Sequence, residues 1–366
     1  MKKLIYFSPI AYDDLKQRPQ YLAEGLSKFY DVVYVEPTKR LVSNIVRGDV
    51  NCGAKEEKIN EHLTVVRCNG SFIPPFSFST RDVLKLGVKL QRLQLEKYVK
   101  DADYLILGFE GWAEVAFSWK DKKVIYDKID DTEKLINNAN SAEYIRRGRL
   151  MLEQKADAFM VTAKIFHNNI AKQRVDSSIL YLPNGVNIDE IDISNISFES
   201  NREKNNTRIY GYVGTVSEWF DFDAVRVIAK QPNSKVIIVG PCLIDVPQIE
   251  NVEYVDRVSK KEALEYIKRF DVCIYPFKQN ELLDTINPVK LYEYLALNRP
   301  VLAVATPEMD VFGKKVTQYD NYDKIEKVCH SVFVLPFDNK EELTEFIRNN
   351  SWTNRVDLIH NFLEEL

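Results

Sequence analysis

At 366 residues, with 45% hydrophobic and 28% charged content, the chain has the size and balance of an ordinary soluble protein of two domains. A formal charge of −4 argues against the basic surface that general nucleic-acid binding requires. Five cysteines (Cys52, Cys68, Cys242, Cys273, Cys329) have no C-x-x-C spacing, so they read as reduced structural thiols and not as metal ligands.

At the N-terminus, Lys2 and Lys3 precede an apolar run that ends within a few residues, before Asp13 and Asp14. Leu4–Phe7 is therefore expected to be a buried strand and not an export signal. No stretch approaches the roughly 20 apolar residues of a membrane span, and a cytoplasmic protein is expected. Further strands are predicted at Asp31–Val35, Leu63–Arg67, Tyr104–Leu107, Val124–Asp127, Ala158–Thr162 and Ile179–Leu182. Between the third and fourth, Ser79 and Asp82 form a capping box for a helix running to about Lys100. Arg81, Lys85, Lys89, Arg92 and Lys100 follow helical spacing on one face, with Leu84, Leu86, Leu90 and Leu93 elsewhere. An aromatic loop (Phe72, Pro74, Pro75, Phe76, Phe78) precedes it. Such a helix is either a solvated surface element or a contact for an anionic membrane.

Pro183-Asn184-Gly185 is a turn signal, and the polar stretch from Asn187 to Asn206 lacks periodicity. The domain boundary is placed there, with residues 1–190 before it and 207–345 after it. Strands resume at Arg208–Val213, Val236–Val239, Val252–Val255, Val272–Tyr275, Val301–Val304 and Val332–Leu335. Residues 346–366 end in an amphipathic helix with Val356, Ile359, Phe362 and Leu363 on one face. Strands alternating with helices on this pattern predict two successive α/β domains with doubly wound parallel sheets.

The segment richest in chemistry is Asn287-Pro288-Val289-Lys290-Leu291-Tyr292-Glu293. Asn287 suits an N-cap and Pro288 the first helical position. A helix starting there directs free N–H groups and a positive dipole end outward, a ready diphosphate site. Lys290 falls in the first turn, and Glu293 shares its face, where a ribose diol could donate to it. On spacing alone, a capped helix with an ordinary Lys–Glu surface pair accounts for the same residues.

Strand–Asp271-Val272–Pro276, then Asn287-Pro288-x-Lys290-x-x-Glu293-Tyr294-Leu295-Ala296, then Pro300-Val301, resembles the donor signature of bacterial GT-B glycosyltransferases. Tyr212-Val213-Gly214 is similar to the first strand and glycine turn of their donor domain. Arg18-Pro19-Gln20 before a helix resembles capsule and teichuronic-acid type enzymes. Trp352-x-x-Arg355 resembles the terminal helix that returns to the first domain. The resemblance implies a GT-B architecture of two facing Rossmann-like domains: 1–190 for the acceptor, 207–345 for the nucleotide-sugar donor, and 346–366 packing back on the first. By the same resemblance Glu293 holds the donor ribose and Lys290 the diphosphate, Gly214 and Thr215 border the phosphates, and Arg257 and Val258 border the base. The donor is then a nucleotide-diphosphate sugar, with UDP favoured, and the acceptor a glycan or lipid-linked glycan.

Two departures bear on mechanism. The retaining subfamily has a second Glu eight residues before Glu293, where this chain has Thr285. It also has an Arg and a Lys soon after the first donor-domain strand, where this chain reads Ser217-Glu218-Trp219-Phe220-Asp221. Without them, an inverting transfer with a general base from the first domain is expected, and Asp130 of the Asp127/Asp130/Asp131 cluster is the candidate. The competing role of that cluster is to cap the helix that follows. Asp13, Asp14, Glu110 and Trp112 follow strands of the first domain and are the weaker acceptor-side candidates. His62, His167, His330 and His360 show no ligand spacing and read as structural. Because a helix N-terminus and Lys290 can neutralise the diphosphate, no obligatory metal is expected. A nucleotide-sugar epimerase of the same fold and a catalytically inactive transferase-like subunit are the alternatives. A dehydrogenase is disfavoured because neither opening strand leads into G-x-G-x-x-G.

Overall fold

Each half of the chain builds one mainly parallel sheet, because its central strands are buried on both faces and the connections between them are long enough for crossover helices. The computed structural model describes residues 1–37, 39–40, 53–71, 81–136, 138–199 and 207–366. The chain divides into two units, Met1–Pro183 with Arg355–Leu366, and Asn184–Asn354.

In chain order the first unit contains β1 (Lys3–Phe7), β2 (Asp31–Val35), β3 (Lys39–Arg40), β4 (Lys55–Asn60), β5 (Leu63–Arg67) and β6 (Asn69–Ser71). β7 (Tyr104–Leu107), β8 (Lys123–Lys128), β9 (Ala158–Val161) and β10 (Ser178–Tyr181) complete it. Its large sheet runs β10-β9-β8-β7-β1-β2-β5-β4, parallel except that β4 lies antiparallel to β5; β3 and β6 pair separately. The order reverses at β1, which pairs with β2 on one side and β7 on the other. The second unit contains β11 (Arg208–Val213), β12 (Ser234–Val239), β13 (Val252–Val255), β14 (Val272–Tyr275), β15 (Val301–Val304) and β16 (Val316–Tyr319), all parallel in the order β13-β12-β11-β14-β15-β16. Here the reversal falls between β11 and β14. Open α/β sheets bind ligands outside the carboxyl ends of the strands at such a reversal.

The terminal helix Trp352–Glu365 belongs to the first unit from Arg355 onward. Arg355 Nε donates to the Pro183 carbonyl at 2.9 Å, and the Tyr104 hydroxyl donates to the Leu363 carbonyl at 2.7 Å. His360 stacks on Phe29 with ring centroids 4.2 Å apart and shares a 2.9 Å hydrogen bond with the Tyr30 hydroxyl. The division after Pro183 places 184–190 in the second unit, where Asn184 bonds to Asn287 and Val186 bridges to Ser351. The polar stretch after it forms short 3-10 turns at Ile188–Glu190 and Ile193–Asn195.

Three sequence expectations need correction. Val332–Leu335 is not a strand: Val332 and Val334 are 72% and 74% exposed, and only Phe333 between them turns inward, edge-on to Tyr210. The sheet edge is taken instead by β16, whose buried Val316 and Tyr319 bracket Thr317 and Gln318. β4 was not anticipated at all, since every residue of Lys-Glu-Glu-Lys-Ile-Asn is exposed. On the helix Arg81–Val99, Leu86 and Leu93 are 51% and 65% exposed, so they share the outward face with Lys85, Lys89 and Arg92. Cys52, Ser79 and the aromatic loop Phe72, Pro74, Pro75, Phe76 and Phe78 lie outside the described residues. The four described cysteines are free.

Candidate functional site

In the second unit the carboxyl edge of the sheet is closed by two glycines in a backbone conformation that other residues rarely adopt. Gly214 follows β11 with φ +148°, and Gly240 follows β12 with φ +137°. A Cβ on Gly240 would lie 2.3 Å from the Gly214 carbonyl oxygen, and one on Gly214 would lie 2.1 Å from Lys290 Cε. The backbone can therefore pass directly beneath the lysine stem. Thr215 is half-buried, and its carbonyl accepts from the Tyr212 hydroxyl at 2.9 Å.

The helix Val289–Ala296 follows β14 across the reversal. Pro288, and not Asn287, occupies its cap position, so no side chain closes the first turn. Asn287 is drawn inward instead: its Oδ1 accepts from Asn184 N–H at 2.9 Å and its Nδ2 donates to Glu308 at 3.3 Å. The helix start is thereby left uncapped, with its first N–H groups lacking intrahelical acceptors. Lys290 is half-buried, with Nζ 5.7 Å from the centre of the Tyr212 ring, and it forms no ion pair among the described residues. Burial lowers its pKa, an effect opposed by the charge of Glu293 and reinforced by that of Lys260. Glu293 is ion-paired to Lys260, which also lies 3.9 Å from Glu190.

Lys260 is a residue that sequence reasoning missed. It opens the helix Lys260–Arg269, whose start is fixed by a reciprocal capping box between Ser259 and Glu262. That box was readable, whereas the pairing across 33 positions to Glu293 was not. Val258 packs against the core of this unit, and Arg257 is exposed, its N–H bonded to the Asp256 carboxylate. Thr285 is buried and donates to the Leu282 carbonyl at 2.7 Å. In the stretch that departs from the retaining pattern, Asp221 caps the helix Phe222–Ala229, and the buried Ser217 hydroxyl has no hydrogen-bond partner among the described residues.

In the first unit, carboxylates gather after β7 and β8. Asp127, near the end of β8, is fully buried and accepts two bonds from Arg18, Nη2 at 2.8 Å and Nε at 3.2 Å, and one from the Tyr6 hydroxyl at 2.7 Å. Arg18 is equally enclosed, and its Nη1 donates to the Leu182 carbonyl at 2.9 Å. Glu110 is buried after β7: one oxygen accepts from the Tyr126 hydroxyl at 2.7 Å, and the other has no hydrogen-bond partner among the described residues. Asp130 is half-buried, and its carboxylate has no hydrogen-bond or ion-pair partner among the described residues. Its pKa is raised to about 6, first by desolvation and then by the charge of Glu110, with Arg18 opposing. Asp131 pairs with Lys134 at 3.5 Å. A carboxylate with a raised pKa and no fixed partner is suited to taking a proton.

The remaining acceptor-side candidates separate. Trp112 is fully buried, with its ring 5.3 Å from that of Phe7, so it is a core residue and not a wall of the site. Asp13 and Asp14 are exposed, and Asp13 pairs with Arg67 at 2.9 Å.

Two doubly wound sheets in succession, with a terminal helix that belongs to the first, define a GT-B fold, and comparison with known proteins agrees. Solved structures similar over the whole chain include an α,α-trehalose-phosphate synthase (UDP-forming) from Burkholderia vietnamiensis (TM-score 0.70, 10% identity, 99% of that chain covered). Others are HepE from Anabaena in complex with UDP and glucose (0.67, 10%, 100%) and sucrose-phosphate synthase from Thermosynechococcus elongatus (0.64, 12%, 99%). At these identities the likeness is one of fold. In sequence, the chain is 24% identical over 259 residues to TuaH of Bacillus subtilis, a protein named for a glycosyltransferase role in teichuronic acid biosynthesis. That match takes in 64% of this chain and 63% of TuaH, just under two thirds of the relative's length. No family model matches the chain.

Proposed function

We propose that the protein is a glycosyltransferase that moves a sugar from a nucleotide-diphosphate donor, UDP favoured, to a glycan or lipid-linked glycan in cell-surface polysaccharide biosynthesis. The observation that carries this reading is the convergence, at the strand-order reversal of the second unit, of the Gly214 and Gly240 turns, an uncapped helix start and Lys290, which lies against Gly214 and has no ion pair among the described residues. Close backbone, free N–H groups and a lone cation are what a diphosphate requires. Glu293 and the half-buried surroundings of Val258 are assigned to the ribose and base. The GT-B fold and the likeness to TuaH support the same class of activity. Lys290 and the helix carry the diphosphate charge in this reading, without an obligatory metal. In calorimetry with UDP in the presence of EDTA, Lys290→Ala and Glu293→Ala should each weaken binding by about 1–3 kcal/mol. Unchanged affinity in both variants, or UDP binding that appears only with Mg²⁺, would overturn the assignment.

The finer location is a cytoplasmic protein resting reversibly on an anionic membrane, where lipid-linked acceptors reside. No helix among the described residues is long and apolar enough to cross a membrane. The helix Arg81–Val99 instead presents Lys85, Lys89 and Arg92 with Leu86 and Leu93 among them. Each basic side chain near an anionic surface contributes on the order of 1 kcal/mol. Sedimentation with phosphatidylglycerol liposomes at low salt, fading at high salt, is the expected result. Equal binding to neutral liposomes would rule it out.

A further inference from the structure

The first unit contains a cavity of about 300 Å³ whose lining includes Lys128 and Asp131. This is the lower end of the size range of small-molecule sites, about 300–1,000 Å³. Its lining includes three cations, Lys128, Lys134 and Arg149, and three carboxylates, Asp131, Glu133 and Glu153. These are arranged as pairs: Lys128 lies 3.3 Å from Glu153, Arg149 lies 2.9 Å from Glu153 and 3.1 Å from Glu133, and Lys134 lies 3.5 Å from Asp131. Phe166 and Ile170, on the helix Lys164–Gln173, are 5% and 4% exposed in its lining, with the Lys128 ammonium 4.6 Å from the centre of the Phe166 ring, and Asn169 stands exposed on the same helix.

We propose that this cavity is an acceptor subsite that takes an uncharged sugar ring. The inference rests on the transferase reading above and deepens it. An anion entering here would have to break an existing ion pair to reach a cation, and a cationic ligand would meet the same obstacle at the carboxylates. A neutral pyranose does neither. Each of its hydroxyls can donate to one member of a pair and accept from the other, and hydrogen bonds to charged groups are stronger than those between neutral groups. The placement also fits the chemistry: Asp131 lines the cavity one residue after Asp130. The ammonium of Lys128 stands 5.5 Å from the centre of the Tyr126 ring, whose hydroxyl is bonded to Glu110. A ring seated here would belong to the glycan whose neighbouring hydroxyl Asp130 deprotonates.

The test uses the full chain with its isoleucine methyl groups labelled, titrated with the methyl β-glycosides of glucose, galactose and N-acetylglucosamine, and separately with inorganic phosphate. At least one glycoside should shift the Ile170 methyl resonance saturably, and phosphate should not. Asn169→Trp, which crowds the cavity without touching an ion pair, should raise the apparent Kd at least about tenfold and leave UDP affinity unchanged. Arg149→Met should weaken glycoside binding in the same direction; if that variant fails to fold, Asn169→Trp still decides. No shift with any glycoside, an equal response to phosphate, or normal glycoside affinity in Asn169→Trp would each overturn the proposal. UDP titration of the same samples separates the two readings. Intact UDP binding without a glycoside response refutes only the subsite, whereas a chain that binds the glycoside but not UDP refutes the donor assignment.

Discussion

Asp130→Asn is expected to lower turnover by about 10²–10⁴-fold, the usual worth of general-base assistance, while UDP affinity stays at its parent value. The reasoning starts from the proposed displacement. The acceptor hydroxyl oxygen forms a bond to the anomeric carbon as the bond to the diphosphate oxygen breaks, and the hydroxyl proton must go to a base. Asp130 is the carboxylate of the Asp127, Asp130 and Asp131 cluster without a partner among the described residues, since Asp127 is held by Arg18 and Tyr6 and Asp131 pairs with Lys134. Its pKa, raised to about 6 by desolvation and by Glu110, makes it a stronger base than an ordinary carboxylate while leaving it mostly ionised at neutral pH. The sign follows directly: the active form is the deprotonated one, so kcat should fall as pH drops through about 6. Removing the Glu110 charge with Glu110→Gln should move that inflection to lower pH. The product should carry the inverted anomeric configuration by NMR. A retained anomer, or near-normal turnover in Asp130→Asn, would exclude this mechanism.

Legibility in the sequence followed burial. β1, β2, β7 and β14 are apolar on both faces, and each stands out as a short hydrophobic run between polar connections. β4 has no buried face, so its pairing with β5 leaves no trace in residue type. β16 was hidden by the opposite problem: Thr317 and Gln318 dilute a four-residue strand, while the more apolar Val332–Leu335 attracted the assignment and then exposed two valines. The helix at Val289 was legible because proline and spacing are local signals. The fate of Asn287 was not, since its partners Asn184 and Glu308 come from distant parts of the chain. The same limit hid Lys260 and the Arg18–Asp127 pair. An aspartate at the end of an apolar strand announces that some counter-charge must exist, but nothing local identifies a residue 109 positions away.

That pair carries the largest stability effect expected in the molecule. Arg18→Met should destabilise the protein by about 3–5 kcal/mol, because it leaves the Asp127 carboxylate buried with no cation opposite it. Both groups are essentially inaccessible to water, Arg18 at 3% and Asp127 at 0% exposure, so solvent cannot take over the lost contacts. The Tyr6 hydroxyl alone would remain, one donor for a charge that now accepts three bonds from these two residues. Asp127→Asn is the complementary single change, which leaves the guanidinium buried without a counter-charge, with an amide oxygen and the Leu182 carbonyl as its acceptors. The double variant Arg18→Met/Asp127→Asn removes both charges, and it should be more stable than Arg18→Met despite carrying one more substitution, since a buried pair costs most when only one partner is lost. Denaturant unfolding of the four proteins gives the cycle, with UDP affinity measured alongside to confirm that the second unit is intact. An Arg18→Met loss below about 1 kcal/mol, in the range typical of exposed pairs, would mean that the two groups are solvated in the folded protein. Strictly additive losses would mean that they do not interact. The expected non-additivity would establish that Arg18 and Asp127 act as one unit, fixing the end of β8 from which Asp130 is presented.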